Sequence, residues 1–248
     1  MQLTQKKSRR GDLLTAAAVA MLLAVMAALL YTGSLTRQVT NMLIPTAVYI
    51  VMAVSLNLVV GLLGELSLGH AGFMSVGLFS GCLVAIALTN TALPLMVRLP
   101  VSMLAGGLTA AVFGLLVGLP TLRLRGDYLA IVTLACGEII KNIITNLRVT
   151  GGALGLNTTA IYAGAKELLP YGAALVLLTV AVMLNLKRSK YGRAIMAIRD
   201  NRIAAESVGL SVTRYKLAVF VIAAFFAGCA GVLYGHSLAN IKAAAFDY

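Results

Sequence analysis

Acidic residues, histidine and cysteine are all scarce in this sequence. Asp and Glu together number 8, and charged residues of every kind make up 11% of the 248. That share is too small to coat a soluble domain of this size. Three cysteines, Cys82, Cys136 and Cys229, each fall inside an apolar run, without paired spacing or a histidine beside them. Neither a disulfide frame nor a metal site is indicated, and the three read as small buried side chains. The two histidines, His70 and His236, lie too far apart in sequence to argue as one site, and no nucleophile and base pair or cofactor fingerprint accompanies them.

What the chain has instead is apolar length. Hydrophobic residues make up 60% and the mean hydropathy is +0.94, so the expected fold is an all-α polytopic membrane protein, each crossing needing about 20 residues to span ~30 Å of hydrocarbon. About seven runs qualify: Leu13 to Leu30, Met42 to Leu63 with Pro45 and Asn57 inside, a third resuming after Gly72 and reaching about Leu88, Val101 to Leu119, Tyr128 to Leu147, Leu168 to Leu186, and Leu217 to Leu238. The first follows Lys6, Lys7, Arg9 and Arg10 and resembles a signal peptide, but it is long and no small-x-small site follows before Tyr31. It reads as a retained signal anchor.

Lysine and arginine set the orientation. The net charge of +12 does not point to nucleic acid, whose binders spread basic residues over a folded surface with aromatics between them. Here the basic residues sit between apolar runs. With the N-terminus inside and every run crossing, the inner segments hold Lys6, Lys7, Arg9, Arg10, Arg123, Arg125, Lys187, Arg188, Lys190, Arg193, Arg199, Arg202, Arg214 and Lys216. The outer ones hold only Arg37, Arg98, Arg148, Lys166 and Lys242, with Lys141 inside a run. The bias places the N-terminus and the 187–216 segment in the cytosol.

Polar residues among the apolar runs are the candidate site. Between Gly61 and Gly72 stand four glycines with Glu65, Ser67 and His70, a composition poorly suited to one uninterrupted helix. Two readings fit. Either the break faces an internal cavity with Asn57, Glu65, Ser67 and His70 along a path, or Glu65 and His70 simply sit at the inner water boundary, the reading the alternation of runs favours. In the fifth run Glu138 and Lys141 are spaced to pair on one helix face, lowering each other's burial cost, with a gating role for Glu138 as the alternative. The glycine loop Thr150 to Asn157 lacks the lysine and preceding strand of a phosphate cradle and reads as a flexible outer gate or a surface for an external partner.

The segment from Gly192 to Gly209 is the one stretch long enough to fold outside the bilayer. It predicts a short helix from Asp200 to Val208, with Asp200 as N-cap, Ile203, Ala204, Ala205 and Val208 forming a small-residue face, and Gly209 ending it. Such a helix suits docking into a groove on another protein; lying on lipid headgroups is the alternative.

Three runs together resemble the LivM-type permeases of ATP-binding-cassette importers for branched-chain amino acids. They are Leu56 to Gly61 with Leu66 to Phe73, then Leu122 to Leu134, then Gly192 to Gly209 with Thr213 to Leu217, in the family's order and covering most of the chain from about Asn57. The resemblance implies a single permease domain over residues 1–248 in the bacterial cytoplasmic (inner) membrane, among membrane lipid. It also implies a LivH-type permease partner, two cytosolic ATPases holding ATP and Mg, and an extracytoplasmic substrate-binding protein. This chain would bind no cofactor itself. It further implies that segment 187–216 carries the coupling helix, marked in such importers by Glu-Ala-Ala-x-x-x-Gly. Ala204, Ala205 and Gly209 match that pattern, and Ile203 stands where the glutamate would be. Membrane helices and a glycine-rich segment beyond Tyr248 are expected for the family. Urea or another amide is the alternative cargo, and a proton-coupled secondary transporter using Glu65, His70 or Glu138 is the rival mechanism.

Overall fold

The computed structural model describes residues 2–90, 94–121, 124 and 126–242. Among these, seven helices are long and apolar enough to cross a membrane. They are α1 (Gln2–Tyr31), α2 (Arg37–Asn57, continued by a π turn over Leu58–Leu63), α3 (His70–Thr89), α4 (Leu95–Thr121), α5 (Asp127–Asn146), α6 (Ala165–Arg188) and, after two short helices α7 (Lys190–Asp200) and α8 (Arg202–Ser207), α9 (Val212–His236). A two-residue ribbon pairs β1 (Leu156–Asn157) with β2 (Asn240–Ile241), antiparallel.

Helix α9 is the axis of the bundle, packed chiefly on α3 and α4 and also on α2. It gets there because glycines let backbones touch. A Cβ on Gly228 would stand 2.7 Å from the Gly106 carbonyl oxygen and 2.5 Å from the Ala110 Cβ, and one on Gly77 would fall onto the Gly228 Cα. Lipid gives apolar helices no hydrophobic reason to associate, so close backbone packing carries the contact. By contrast α1 packs mainly on α6 and leaves most of its span uncovered.

The runs alternate as expected. At one end of the bundle Arg199 of α7 reaches the Gly61 carbonyl and Lys216 of α9 pairs with Glu65. At the other end the Tyr31 hydroxyl donates to the Lys166 carbonyl at 3.2 Å, the Ala163 amide to the His236 carbonyl at 3.0 Å, and Arg98 to Thr89 at 3.4 Å. The glycine loop Thr150 to Asn157 is tied to the end of α9. Thr158 donates to the Leu238 carbonyl at 2.5 Å, and the ribbon holds the loop to the end of α9.

Several helices start earlier than the sequence reading placed them. Helix α2 begins at Arg37 rather than Met42, and α4 begins at Leu95 rather than beyond Pro100, so Pro45 and Pro100 both lie inside helices. Helix α9 begins at Val212, five residues before Leu217, because Lys216 there is neutralised and buried. Arg98 therefore sits inside α4, half-buried, rather than in an outer loop. Arg123 and Arg125 lie outside the described residues.

The π turn stops at Gly64, whose φ of 78° is left-handed and whose Cα faces the Arg199 side chain. A Gly64→Ala change is expected to cost about 1–2 kcal/mol from the backbone alone, before the overlap of its Cβ with Arg199. Thermal unfolding in detergent measures it, and an unchanged midpoint would show that the turn relaxes freely.

Candidate functional site

The end of the bundle that carries Arg199 and Lys216 is built from two pieces, a short helical elbow and the helix break it sits on. The elbow starts where Ser189 caps α7, its hydroxyl accepting from the Gly192 amide at 3.0 Å. Ile195 and Ile198 then turn inward, leaving Tyr191 outside. Asn201, extended at φ −153° and ψ 103°, separates α7 from α8 and caps α8 by accepting from the Ala204 amide at 3.0 Å. The cap is therefore Asn201, one residue later than the Asp200 expected. Asp200 ends α7 and accepts from Arg199 at 3.1 Å. Asn and Asp cap equally well, so residue type could not separate adjacent candidates.

The single small-residue face expected of α8 is also corrected. Each helical residue rotates by about 100°, so Ile203 and Ala205 cannot share a side. Ala205 is 4% exposed and packs with Ile198 and Val212, whereas Ile203 is 80% and Val208 76% exposed, with Ala204 also exposed. Arg202 and Glu206 pair at 2.9 Å one turn apart, and Gly209, at φ 84°, closes the segment. The elbow thus holds one alanine in its own core and presents an isoleucine and a valine outward.

The break carries the polar residues. Glu65 pairs with Lys216, their side chains 12% and 7% exposed. Such a pair persists in low dielectric because separating it strands a charge. His70, the first residue of α3, is likewise buried, and its Nε2 lies 2.8 Å from the Ser55 hydroxyl on α2. The Leu68 amide donates to the Thr133 hydroxyl of α5 at 3.1 Å. Glu65 Oε2 and the Ser67 hydroxyl are buried with no hydrogen-bond partner among the described residues. Asn57 is exposed and folds its side chain over Gly61.

Glu65, Ser67 and His70 thus lie on one short break but face different partners, Lys216 for Glu65 and Ser55 for His70, with the Ser67 hydroxyl unpartnered among the described residues. Glu138 is occupied elsewhere, pairing with Lys141 at 2.7 Å on α5 as its spacing predicts. Sequence reasoning missed Lys216, Ser55, Thr133 and Arg199. Lys216 had a signal: it opens an apolar run, where a lysine demands a partner, and Glu65 stands at the same end.

The environment of His70 is open to a contrast. Ser55→Ala leaves His70 Nε2 buried and unpaired and is expected to destabilise the chain by about 1–3 kcal/mol, whereas Ser67→Ala removes a hydroxyl already without a partner and is expected to be near neutral. Unfolding midpoints in detergent compare them, and equal midpoints would contradict the assignment.

Residues 38–247 match the family model described as "Branched-chain amino acid transport system / permease component". The chain is similar to the high-affinity branched-chain amino acid transport system permease protein LivM of Salmonella typhimurium, 36% identical over 242 residues, covering 82% of this chain and 53% of the relative. It is similarly close to LivM of Escherichia coli, 36% identical over 236 residues with 82% and 53% covered. A probable LivM of Methanocaldococcus jannaschii is 31% identical over 148 residues, 55% of this chain and 43% of the relative. The chain thus spans about half the length of the curated relatives it matches. No solved structure matches the chain significantly.

Proposed function

The chain belongs to the branched-chain amino acid transport permease family, and from that membership we propose that it is the membrane-spanning permease subunit of an ATP-binding-cassette importer for leucine, isoleucine and valine. In this reading it forms one permease domain with no catalytic site of its own and no bound cofactor. It works beside a LivH-type permease, two cytosolic ATPases that hold ATP and Mg, and an extracytoplasmic binding protein that selects the cargo.

The observation that carries the proposal is α8. A capped helix that keeps Ala205 for its own core and turns Ile203 out, with Val208 exposed just past its end, at 80% and 76% exposure, is a rigid apolar knob beside the basic residues Arg193, Arg199 and Arg202. The knob enters a groove on an ATPase. ATP-driven closure of the ATPases moves it, and the bundle changes which side the path opens to. A ligand shifts such an equilibrium only by binding one state better, and contacts on this knob differ between the states. The glycine break, with Glu65, Ser67 and His70, supplies the polar lining at the inner end of the path, in the manner of interrupted helices that line transport sites.

In the rival proton-coupled mechanism Glu65, His70 or Glu138 would carry the proton; Glu65 is paired with Lys216, Glu138 with Lys141, and His70 lies against Ser55. Proteoliposomes separate the two. With the partner permease, both ATPases and the binding protein present, ATP is expected to drive leucine uptake, and urea serves as the comparison cargo. Uptake by this chain alone under a proton gradient would overturn the proposal.

A further inference from the structure

Helix α8 is anchored on both sides by a cation, and both cations reach the same place. Before the Asn201 cap, Arg199 donates from Nη1 to the Gly61 carbonyl at 3.0 Å and lays its aliphatic stem against Gly64. After α8, on the second turn of α9, Lys216 donates to Glu65 in a pair largely excluded from solvent. The stretch they hold, Gly61 to Glu65, is the end of the π turn and the start of the non-helical link to α3. The far side of that link is fixed to the bundle by the Leu68 amide on Thr133 of α5 and by His70 against Ser55 of α2.

A π turn closed by a left-handed glycine is a segment whose backbone bonding rearranges at little cost. The Gly61 carbonyl lies past the last regular helical bonds and accepts from Arg199 instead. We infer that Arg199 and Lys216 are the positioning residues that deliver displacement of α8 into the membrane, acting on the 61–69 break between α2 and α3. The coupling helix is therefore linked to the second and third crossings as well as to α6 and α9, its neighbours in sequence. A shift of α8 pulls on the break from two points while Thr133 and Ser55 hold its other end, so the break bends where Ser67 and His70 lie. The inference rests on the permease reading, since it needs a partner that moves α8.

The test uses the assembled transporter in proteoliposomes, with leucine uptake and ATP hydrolysis measured on the same sample. Arg199→Gln and Lys216→Met are each expected to lower uptake per ATP hydrolysed at least about tenfold, a loss of coupling of the size one broken link produces. The charge swap Glu65→Lys with Lys216→Glu is expected to recover a substantial part of the Lys216→Met loss. A purely structural role would lower uptake and hydrolysis together and leave their ratio unmoved.

An independent readout is a bimane label on Leu66→Cys, with Cys136→Ser to remove the half-exposed native thiol. Its emission is expected to shift on adding ATP to the otherwise unmodified transporter and to stay fixed with Arg199→Gln. Arg199 is half-exposed, so its variant decides the matter if Lys216→Met does not assemble. A normal ratio, or a normal label response, with Arg199→Gln overturns the inference while leaving the permease reading intact. Failure of any ATPase to associate with the unmodified chain overturns that reading, and this inference with it.

Discussion

Ile203→Arg and Val208→Arg are expected to reduce ATP-driven uptake at least about tenfold while leaving the chain folded and inserted, and Ala205→Arg is expected to damage the fold itself. Both effects follow from the two sides of α8. Ile203 and Val208 face outward at 80% and 76% exposure, so an arginine there meets only water until the ATPase arrives. It then places a charge where an apolar anchor should enter a groove, and loss of one such anchor costs about 2 kcal/mol or more. Ala205 is instead 4% exposed against Ile198 and Val212. An arginine there either buries an unpaired charge or pries α8 from α7 and α9, at roughly 4 kcal/mol or more. Uptake, ATPase co-purification and the detergent unfolding midpoint, measured on all three variants, distinguish the outcomes. If Ala205→Arg were as stable as the outward variants, the inward packing of the elbow would be wrong. If the outward variants transported normally, the knob would not be the docking surface.

Gly228→Leu is expected to abolish folded protein. Three backbones meet at this point: a Cβ on Gly77 would fall onto the Gly228 Cα, and a Cβ on Gly228 would stand 2.7 Å from the Gly106 carbonyl oxygen and 2.5 Å from the Ala110 Cβ. A leucine must push α9 away from both α3 and α4. Water gives no help in re-closing the gap, because lipid is as apolar as the new side chain. Gly164→Ala is the control, since Gly164 has an ordinary negative φ and nothing within 4 Å of its Cβ position. Size-exclusion chromatography of the detergent-solubilised variants reads the result: a monodisperse peak for Gly164→Ala and none for Gly228→Leu. A normal peak for Gly228→Leu would mean that α9 does not sit on the glycine junction.

The crossings were legible in the sequence because spanning length is a local property of composition, and so was the Glu138 and Lys141 pair, whose spacing lies on one helix. The Gly209 stop was also legible, since a glycine past a polar helical stretch has few other uses. What could not be read were facts that depend on two segments meeting. Lys216 looked like one more cytosolic charge until Glu65, from the link before α3, was placed beside it; the partner makes the lysine buried and lets α9 start early. The same pair buries Glu65, which its place in a glycine-rich link did not reveal. The face of α8 was misjudged for a different reason. Ile203, Ala204 and Ala205 are consecutive and small or apolar, which invites grouping, but consecutive residues cover more than half the circumference of a helix, and packing alone chose Ala205 as the one to bury. The capping shift from Asp200 to Asn201 came from two adjacent residues with equal capping ability.

The central claim is that an ATPase grips the outward face of α8 from the cytosol. A photo-crosslinking amino acid at position 203, activated in intact cells, tests it most directly. The expected result is an adduct between this chain and the ATPase, with position 203 protected from a membrane-impermeant reagent added outside. Labelling of position 203 from the outer side, or irradiation that yields only lipid adducts, would contradict it.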